Sequence, residues 1–379
     1  MSERPVDPVP RWRRIASSAA VIGVLGVVWA FSSLTEGSPS GGSPPTPAFS
    51  PPPEGVEESS FTGRLVFAAN APDGRPGLRQ RLYVFDLGER TLEIGPRIPT
   101  ASGLVAVADG AIVIVSEGPD GRRSAAVVTT LDPEAPARTI ARGSLVSASA
   151  SGRVVQVIVP TERGRCGGPA YVVREFRFVL GSPSPWTAKD PPRCGTPISF
   201  AAEDASTAAS VLDRHGQIQV EIDGEPVEPR LGNVAILAIG PSRTALFAGL
   251  GRRVTPGDPA VGPLLAWPFA GGLRPAVDGL IATRFLTWSP DGIRAVVNGE
   301  LDGQRGMWLI DPARGSASAI LPSDEVELGT WFSGATFDRD GNVFGGGAGV
   351  IVAATRSGTS PLQLPDEAPI PAGPLVWLP

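Results

Sequence analysis

Few residues of this chain are of a type that does covalent or metal chemistry: one histidine, two cysteines and several acidic loop segments. His215, the only imidazole, lies in Asp213-Arg214-His215-Gly216 between two apolar runs. That is hairpin-turn composition, with a glycine to take positive φ. A Ser-His-Asp hydrolase would need His215 as its base. No serine sits in a G-x-S-x-G elbow, and no βαβ pattern supplies the sheet that elbow requires. The pattern argues against triad hydrolysis.

Asp338-Arg339-Asp340-Gly341-Asn342 sets oxygen ligands at alternate positions around a glycine, like a fragment of a calcium loop. The closing glutamate of such a loop is missing. Asp291 and Asp109 occupy the same place relative to other apolar runs, which favours a β-turn. Glu300 with Asp302, and Asp324, Glu325 and Glu327, are carboxylates in segments between strands. Paired carboxylates serve glycoside hydrolysis or lactone opening when the fold brings them together. Distance along the chain does not fix their distance in space. Arg122-Arg123, Arg163 with Arg165, and Arg252-Arg253 also fall between strands and read as solvated loop charge. Gly345-Gly346-Gly347 precedes neither a helix nor a lysine, so it is no phosphate loop. One histidine and two cysteines leave no zinc motif. No catalytic, cofactor-binding or metal-binding residue is assigned on this reading.

The elements that must carry these residues are short strands. The chain has 379 residues, 42% of them hydrophobic, which is enough for a sizeable core. Its 47 glycines and 41 prolines exclude long helices over most of the length. The net charge of −5 carries no basic bias, so nothing points to nucleic acid. Lys189 is the only lysine.

Residues 1–14 hold Arg4, Arg11, Arg13 and Arg14 and read as a cytoplasmic tail. Residues 15–34 are uncharged and largely apolar. About 20 such residues span a bilayer core of about 30 Å. The preceding arginines place the N-terminus inside and the rest outside, as a single-pass signal anchor in the cell membrane. A cleaved signal peptide is the competing reading, with Ala30 and Ser32 before the cut. Residues 35–60 are rich in Pro, Gly and Ser and form a spacer without a core.

Beyond that spacer Cys166 and Cys194 stand in an oxidising compartment and are expected to form a disulfide. It would staple the segment between them. A redox-active pair would need a C-x-x-C setting, which is absent.

From residue 61 to 379 one unit recurs. It is clearest in FLTWSPDGIRAVVNGELDGQRGMWLIDPARGSASAILP, Phe285 to Pro322. Apolar runs alternate with the turns Ser289-Pro290-Asp291-Gly292 and Asp311-Pro312-Ala313-Arg314-Gly315, giving strand, turn, strand, loop, strand, turn, strand. Six further sets follow the same pattern. About 319 residues over seven units is about 45 each, within the range of propeller blades. The first set lacks its opening strand, and Pro374–Pro379 reads as an opening strand without a unit. The expectation is an all-β propeller of seven four-stranded blades, with six or eight as alternatives, closed by 374–379.

Trp288-Ser289-Pro290-Asp291-Gly292 followed by Trp308-Leu309-Ile310-Asp311 resembles the repeat of TolB-like and related WD-like bacterial β-propellers. Phe337–Gly341 and Tyr83–Leu87 match it in part. The resemblance implies a monomeric extracytoplasmic binding or scaffolding module, not an enzyme, for a protein, peptide or glycan of the cell envelope. The alternative is a lactonase- or glycosidase-like propeller using channel carboxylates, with or without a divalent cation; no cofactor is otherwise expected.

Overall fold

The computed structural model describes residues 61–75, 78–106, 111–117, 124–143, 145–148, 154–161, 170–179, 182–183, 187–188, 192–194, 196–200, 207–212, 218–222, 225–226, 234–240, 244–249, 251, 261–268, 272–322, 334–347, 350–355, 358–366, 368–369 and 371–379. The segments expected to be tail, membrane anchor and spacer (1–60) lie outside these residues. So do Cys166, His215, the three arginine pairs and the acidic run 324–327.

The described residues form seven antiparallel sheets. Sheet I is closed by both ends of the domain. Its strands, in spatial order, are Pro371–Leu378, Arg64–Arg75, Leu78–Asp86 and Leu92–Ile98. Sheet II is Ala101–Ala106, Ile112–Glu117, Ser124–Thr129 and Arg138–Gly143. Sheet III is Leu145–Ala148, Val154–Thr161 and Ala170–Val179, edged by the two-residue strands Ser182–Pro183, Thr187–Ala188 and Arg193–Cys194. Sheet IV is Thr196–Phe200, Thr207–Leu212, Ile218–Ile222 and Glu225–Pro226. Sheet V is Val234–Ile239, Thr244–Gly249, Leu265–Pro268 and Arg274–Pro275. Sheet VI is Ile281–Trp288, Ala295–Leu301, Gln304–Asp311 and Ser316–Pro322. Sheet VII is Gly334–Phe337, Val343–Gly347, Val350–Thr355 and Gly358–Pro361.

Sheets I and VI are apolar on both faces, which is why their middle strands read as unbroken apolar runs instead of an alternation. In Arg64–Arg75, Leu65 and Phe67 pack with Phe344 and Ile351 of sheet VII. Val66 and Ala68, one residue over, pack with Ile112 and Ile114 of sheet II. In sheet VI, Trp308 and Ile310 pack with Leu246 and Ala266 of sheet V, while Met307 packs with Val343 and Val352 of sheet VII. Period-2 geometry sends successive side chains to opposite neighbours. The core is therefore a set of layers between sheets.

The first strands of the sheets touch one another in turn, and the chain of contacts closes. Pro371–Leu378 meets both Gly334–Phe337 and Ala101–Ala106. The architecture is an all-β propeller with these first strands innermost. Closure uses the antiparallel pairing of Arg64 with Leu378 and Phe67 with Leu375, which leaves no open flank between the first sheet and the last. The closing strand starts at Pro371, earlier than the Pro374 start read from the sequence.

Candidate functional site

The turns that follow the innermost strands are built by their aspartates. Asp291 Oδ1 accepts the Ile293 N–H at 3.0 Å and lies 2.6 Å from Ser289 Oγ. Asp338 Oδ1 accepts the Asn342 N–H at 2.8 Å, and its Oδ2 accepts Asn342 Nδ2 at 2.7 Å. Both oxygens of Asp338 are thus engaged within the turn. The residues that resembled a calcium fragment form a β-turn instead, and no group of three metal-ligating side chains occurs among the described residues. Asp291 has its carboxyl held below the usual carboxylate range. The hydrogen bond from Ser289 is the main cause, helped by the Ile293 N–H and the Arg294 charge and opposed by partial burial.

A second set of aspartates ends the third strands. Asp86 Oδ1 accepts Gly88 and Glu89 N–H groups at 3.0 and 2.8 Å. Asp311 Oδ1 accepts Ala313 and Arg314 N–H groups at 3.0 and 3.1 Å. These side chains mimic a backbone turn, so their recurrence is structural.

Glu300 and Asp302, singled out as catalytic candidates, lie at the turn between the second and third strands of sheet VI. Asp302 has φ 51° and Gly303 φ 81°, the positive pair of a type I′ hairpin. Glu300 Oε2 lies 3.6 Å from Arg305 Nε across the same hairpin. In sheet III, Gln156 is 1% exposed and donates from Nε2 to Glu175 Oε2 at 3.2 Å. Glu175 also meets Arg177 Nε at 3.2 Å. Cys194, exposed on its two-residue strand opposite Ala170, is disulfide-bonded.

The innermost strands are the ones nearest a propeller's axis. Those strands read PAGPLVWL, ASGLVA, LVSA, TPISF, VAILAI, IATRFLTW and GATF. They contain no Asp, Glu, Lys or His, and a single charged residue, Arg284. Arg284 is exposed at the middle of Ile281–Trp288, opposite Asn298, where the register shifts twice. Sequence reasoning passed over it by starting that strand at Phe285. The signal was present: Ile281 and Ala282 extend the apolar run backwards, and a lone arginine interrupts it.

No protein-family model matches this sequence, and no curated protein matches it. Among solved structures the chain is similar to TolB from Acinetobacter baumannii at 13% identity, over 83% of this chain and 82% of that one, with a TM-score of 0.40. It is similar to the β-propeller domain of the Trilobed protease from Pyrococcus furiosus at 14% identity, over 82% of this chain and 95% of that one, with a TM-score of 0.48. It is also similar to the periplasmic gluconolactonase of Pseudomonas aeruginosa at 17% identity, over 82% of this chain and 96% of that one, with a TM-score of 0.45. The propeller assignment itself rests on the strand pairing described above.

Proposed function

We propose that this chain is a seven-bladed binding propeller of the cell envelope. In this reading, residues 15–34 anchor it in the membrane with the N-terminus inside. Residues 35–60 hold the propeller, as a monomer, away from the bilayer. Its loops and channel mouth engage a protein, peptide or glycan. The observation that carries the choice of binding over catalysis is the composition of the innermost strands. Hydrolytic chemistry at the axis would call for converging carboxylates, and those strands supply Ala, Ser, Thr, Val and Leu with one arginine. The run of 15–34 and the arginines before it support the anchor. The circuit of inner-strand contacts supports seven blades.

We also propose that the bonded partner of Cys194 is Cys166, the chain's other cysteine. Antiparallel pairing of Ala170 with Cys194 brings the start of Ala170–Val179 beside it, and Cys166 lies just before that start.

The alternative, a lactonase- or glycosidase-like enzyme, would have to draw its carboxylates from loops at the mouth, with a divalent cation. The test uses the full-length chain. Hydrolysis of sugar lactones and aryl glycosides is measured with and without Mg²⁺ or Ca²⁺, beside crosslinking to envelope fractions and glycan arrays. The binding reading expects no turnover above buffer and a saturable crosslink. Turnover that follows protein concentration would replace it with the enzyme.

A further inference from the structure

Sheet I gathers arginines on one face. Successive residues of Leu78–Asp86 point to opposite sides. Leu82 and Val84 pack toward sheet II, while Tyr83 and Phe85 pack with Phe344 and Ile351 of sheet VII. Arg79 and Arg81 share the parity of Tyr83 and lie on the sheet VII side. Arg81 pairs with Ala69, itself in the cluster shared with sheet VII, and with Arg97 of the outermost strand. Arg79, Arg81 and Arg97 therefore stand on the face turned to the seam where the ring closes.

Like charges directly opposite each other on a sheet cost stability. Glu93, the carboxylate of the outermost strand, pairs with Val84 and so belongs to the sheet II side. No ion pair among the described residues includes Arg79 or Arg81. Arg97 has a contact of its own, so the argument from unmatched charge is confined to Arg79 and Arg81. Arg81 is partly buried, and its Nε is shut off from water with no hydrogen-bond partner. A buried donor without an acceptor carries its desolvation cost in full. The facing sheet repeats the pattern. Ser360 pairs with Ala353, on the side of sheet VII that packs on sheet I, and its Oγ is also buried without a partner. Both sides of the seam thus hold unmatched polar groups, and one of them holds the positive charge.

We infer that the seam between sheets I and VII binds a phosphate group, with Arg81 as its principal ligand and Arg79 and Arg97 beside it. The inference is independent of the binding reading above. A guanidinium offers parallel N–H donors that fit two oxygens of a phosphate. Several guanidinium groups on one face suit a group of up to two negative charges better than the single charge of a carboxylate. Arg79 is exposed and Arg81 and Arg97 are partly so, which leaves an approach from solvent. Two sources share this chemistry: free inorganic phosphate and the phosphodiester of a phospholipid headgroup.

The experiment titrates the full-length chain, in phosphate-free buffer at fixed ionic strength, with inorganic phosphate, glycerophosphoglycerol and acetate. Calorimetry reports affinity, and thermal unfolding reports the stabilisation that a ligand of the folded state brings. Inorganic phosphate, the diester or both are expected to bind at least about tenfold tighter than acetate. Arg81→Gln should lower that affinity about 10- to 100-fold. Arg79→Gln should lower it by a smaller factor, and Arg314→Gln, on sheet VI, should leave it unchanged. Binding of inorganic phosphate alone identifies the free ion as the source, and binding of the diester alone the headgroup. The comparison with acetate needs no variant, so an Arg81→Gln chain that melts early leaves the test standing. Acetate binding as tightly as phosphate and diester, no binding of either at millimolar concentration, or an unchanged affinity in a folded Arg81→Gln would each overturn the inference.

Discussion

Ser289 Oγ lies 2.6 Å from Asp291 Oδ1 and 2.9 Å from the Arg294 carbonyl, and it accepts the Arg294 N–H at 2.8 Å. The hydroxyl has one proton to give. The ionised carboxylate is the stronger acceptor and the shorter contact, so the proton goes there. The turn between the first two strands of sheet VI is thus tied at both ends through one side chain.

A pH dependence follows from that bond. The Asp291 carboxyl is depressed below the ordinary carboxylate value of 3.8, chiefly by Ser289. Between the folded value and 3.8 the unfolded chain binds more protons, so stability rises with pH across that window. The contribution is fully present above 3.8 and is lost as pH falls through the folded value. Asp291 is largely solvated, which keeps the effect on stability small. Ser289→Ala should move the Asp291 carboxyl upward toward 3.8, read by carboxyl-carbon NMR during an acid titration. An unmoved resonance would show that Ile293 and Arg294 alone set the value.

The turns after the third strands give a second, purely conformational prediction. Gly315 has φ 67° and follows Asp311; Arg90 has φ 60° at the same place after Asp86. The N–H groups of Gly315 and Arg90 each bond their aspartate's carbonyl at 2.9 Å. A Cβ on Gly315 or on Gly303 would meet nothing within 4 Å. Any cost of Gly315→Ala or Gly303→Ala is therefore a backbone cost, about 1 kcal/mol each. Arg90 tolerates the same conformation with its guanidinium 5.7 Å over the Phe85 ring. By contrast Gly299→Ala should cost more, because its Cβ would come 2.6 Å from the Ile281 carbonyl oxygen. Denaturant melts of the three variants rank these costs, and a Gly299→Ala as mild as Gly315→Ala would refute the steric argument.

These turns explain how the fold could be read from the residues. Ser289–Gly292, Asp311–Gly315 and Asp338–Asn342 carry their geometry in their own side chains, so local chemistry announces them. The apolar runs between them announce strands buried on both faces. The outermost strands were harder to place. Arg274–Pro275 and Glu225–Pro226 have two residues each and no period to detect. In sheet III three two-residue fragments along Ala170–Val179 take the place of a single outer strand. Arg284 was missed for a different reason. It sits where the pairing with Ala295–Leu301 shifts twice, an irregularity that no local residue pattern announces.

The proposed disulfide makes a stability prediction. Cys166 and Cys194 would close a loop of about 29 residues, worth about 3–4 kcal/mol in the chain-entropy account. Replacing both by Ser should lower stability by about that amount in sheet III. Cys194 is exposed, so reductant should reach the bond without unfolding. Non-reducing peptide mapping checks the pairing. A peptide joining Cys194 to Cys166 of a second molecule would exclude the intrachain link.

Closure of the ring is the remaining point where single residues decide a global property. The Trp377 N–H donates to Thr336 Oγ1 at 3.2 Å, joining sheet I to sheet VII, and the Trp377 indole N–H donates to the Thr62 carbonyl at 3.0 Å. A Cβ on Gly334 would come 2.6 Å from Pro374 Cα, backbone against backbone between neighbouring inner strands. Phe61 meets Phe344 edge to face at 5.3 Å across the same seam. No covalent link joins Pro371–Leu378 to Arg64–Arg75, so their backbone ladder and the side chains around it carry the closure. Trp377→Ala removes a large ring and its indole hydrogen bond to Thr62, keeping the backbone N–H bond to Thr336, and should cost about 3 kcal/mol. Gly334→Ala forces the strands apart and should cost about 1–3 kcal/mol by overpacking. If the seam is the weakest link, both variants should expose Arg64–Arg75 to hydrogen exchange before the strands of sheet VI, where packing is unchanged. Simultaneous exchange of sheets I and VI would mean that the ring opens only as a whole, and would remove the seam's special status.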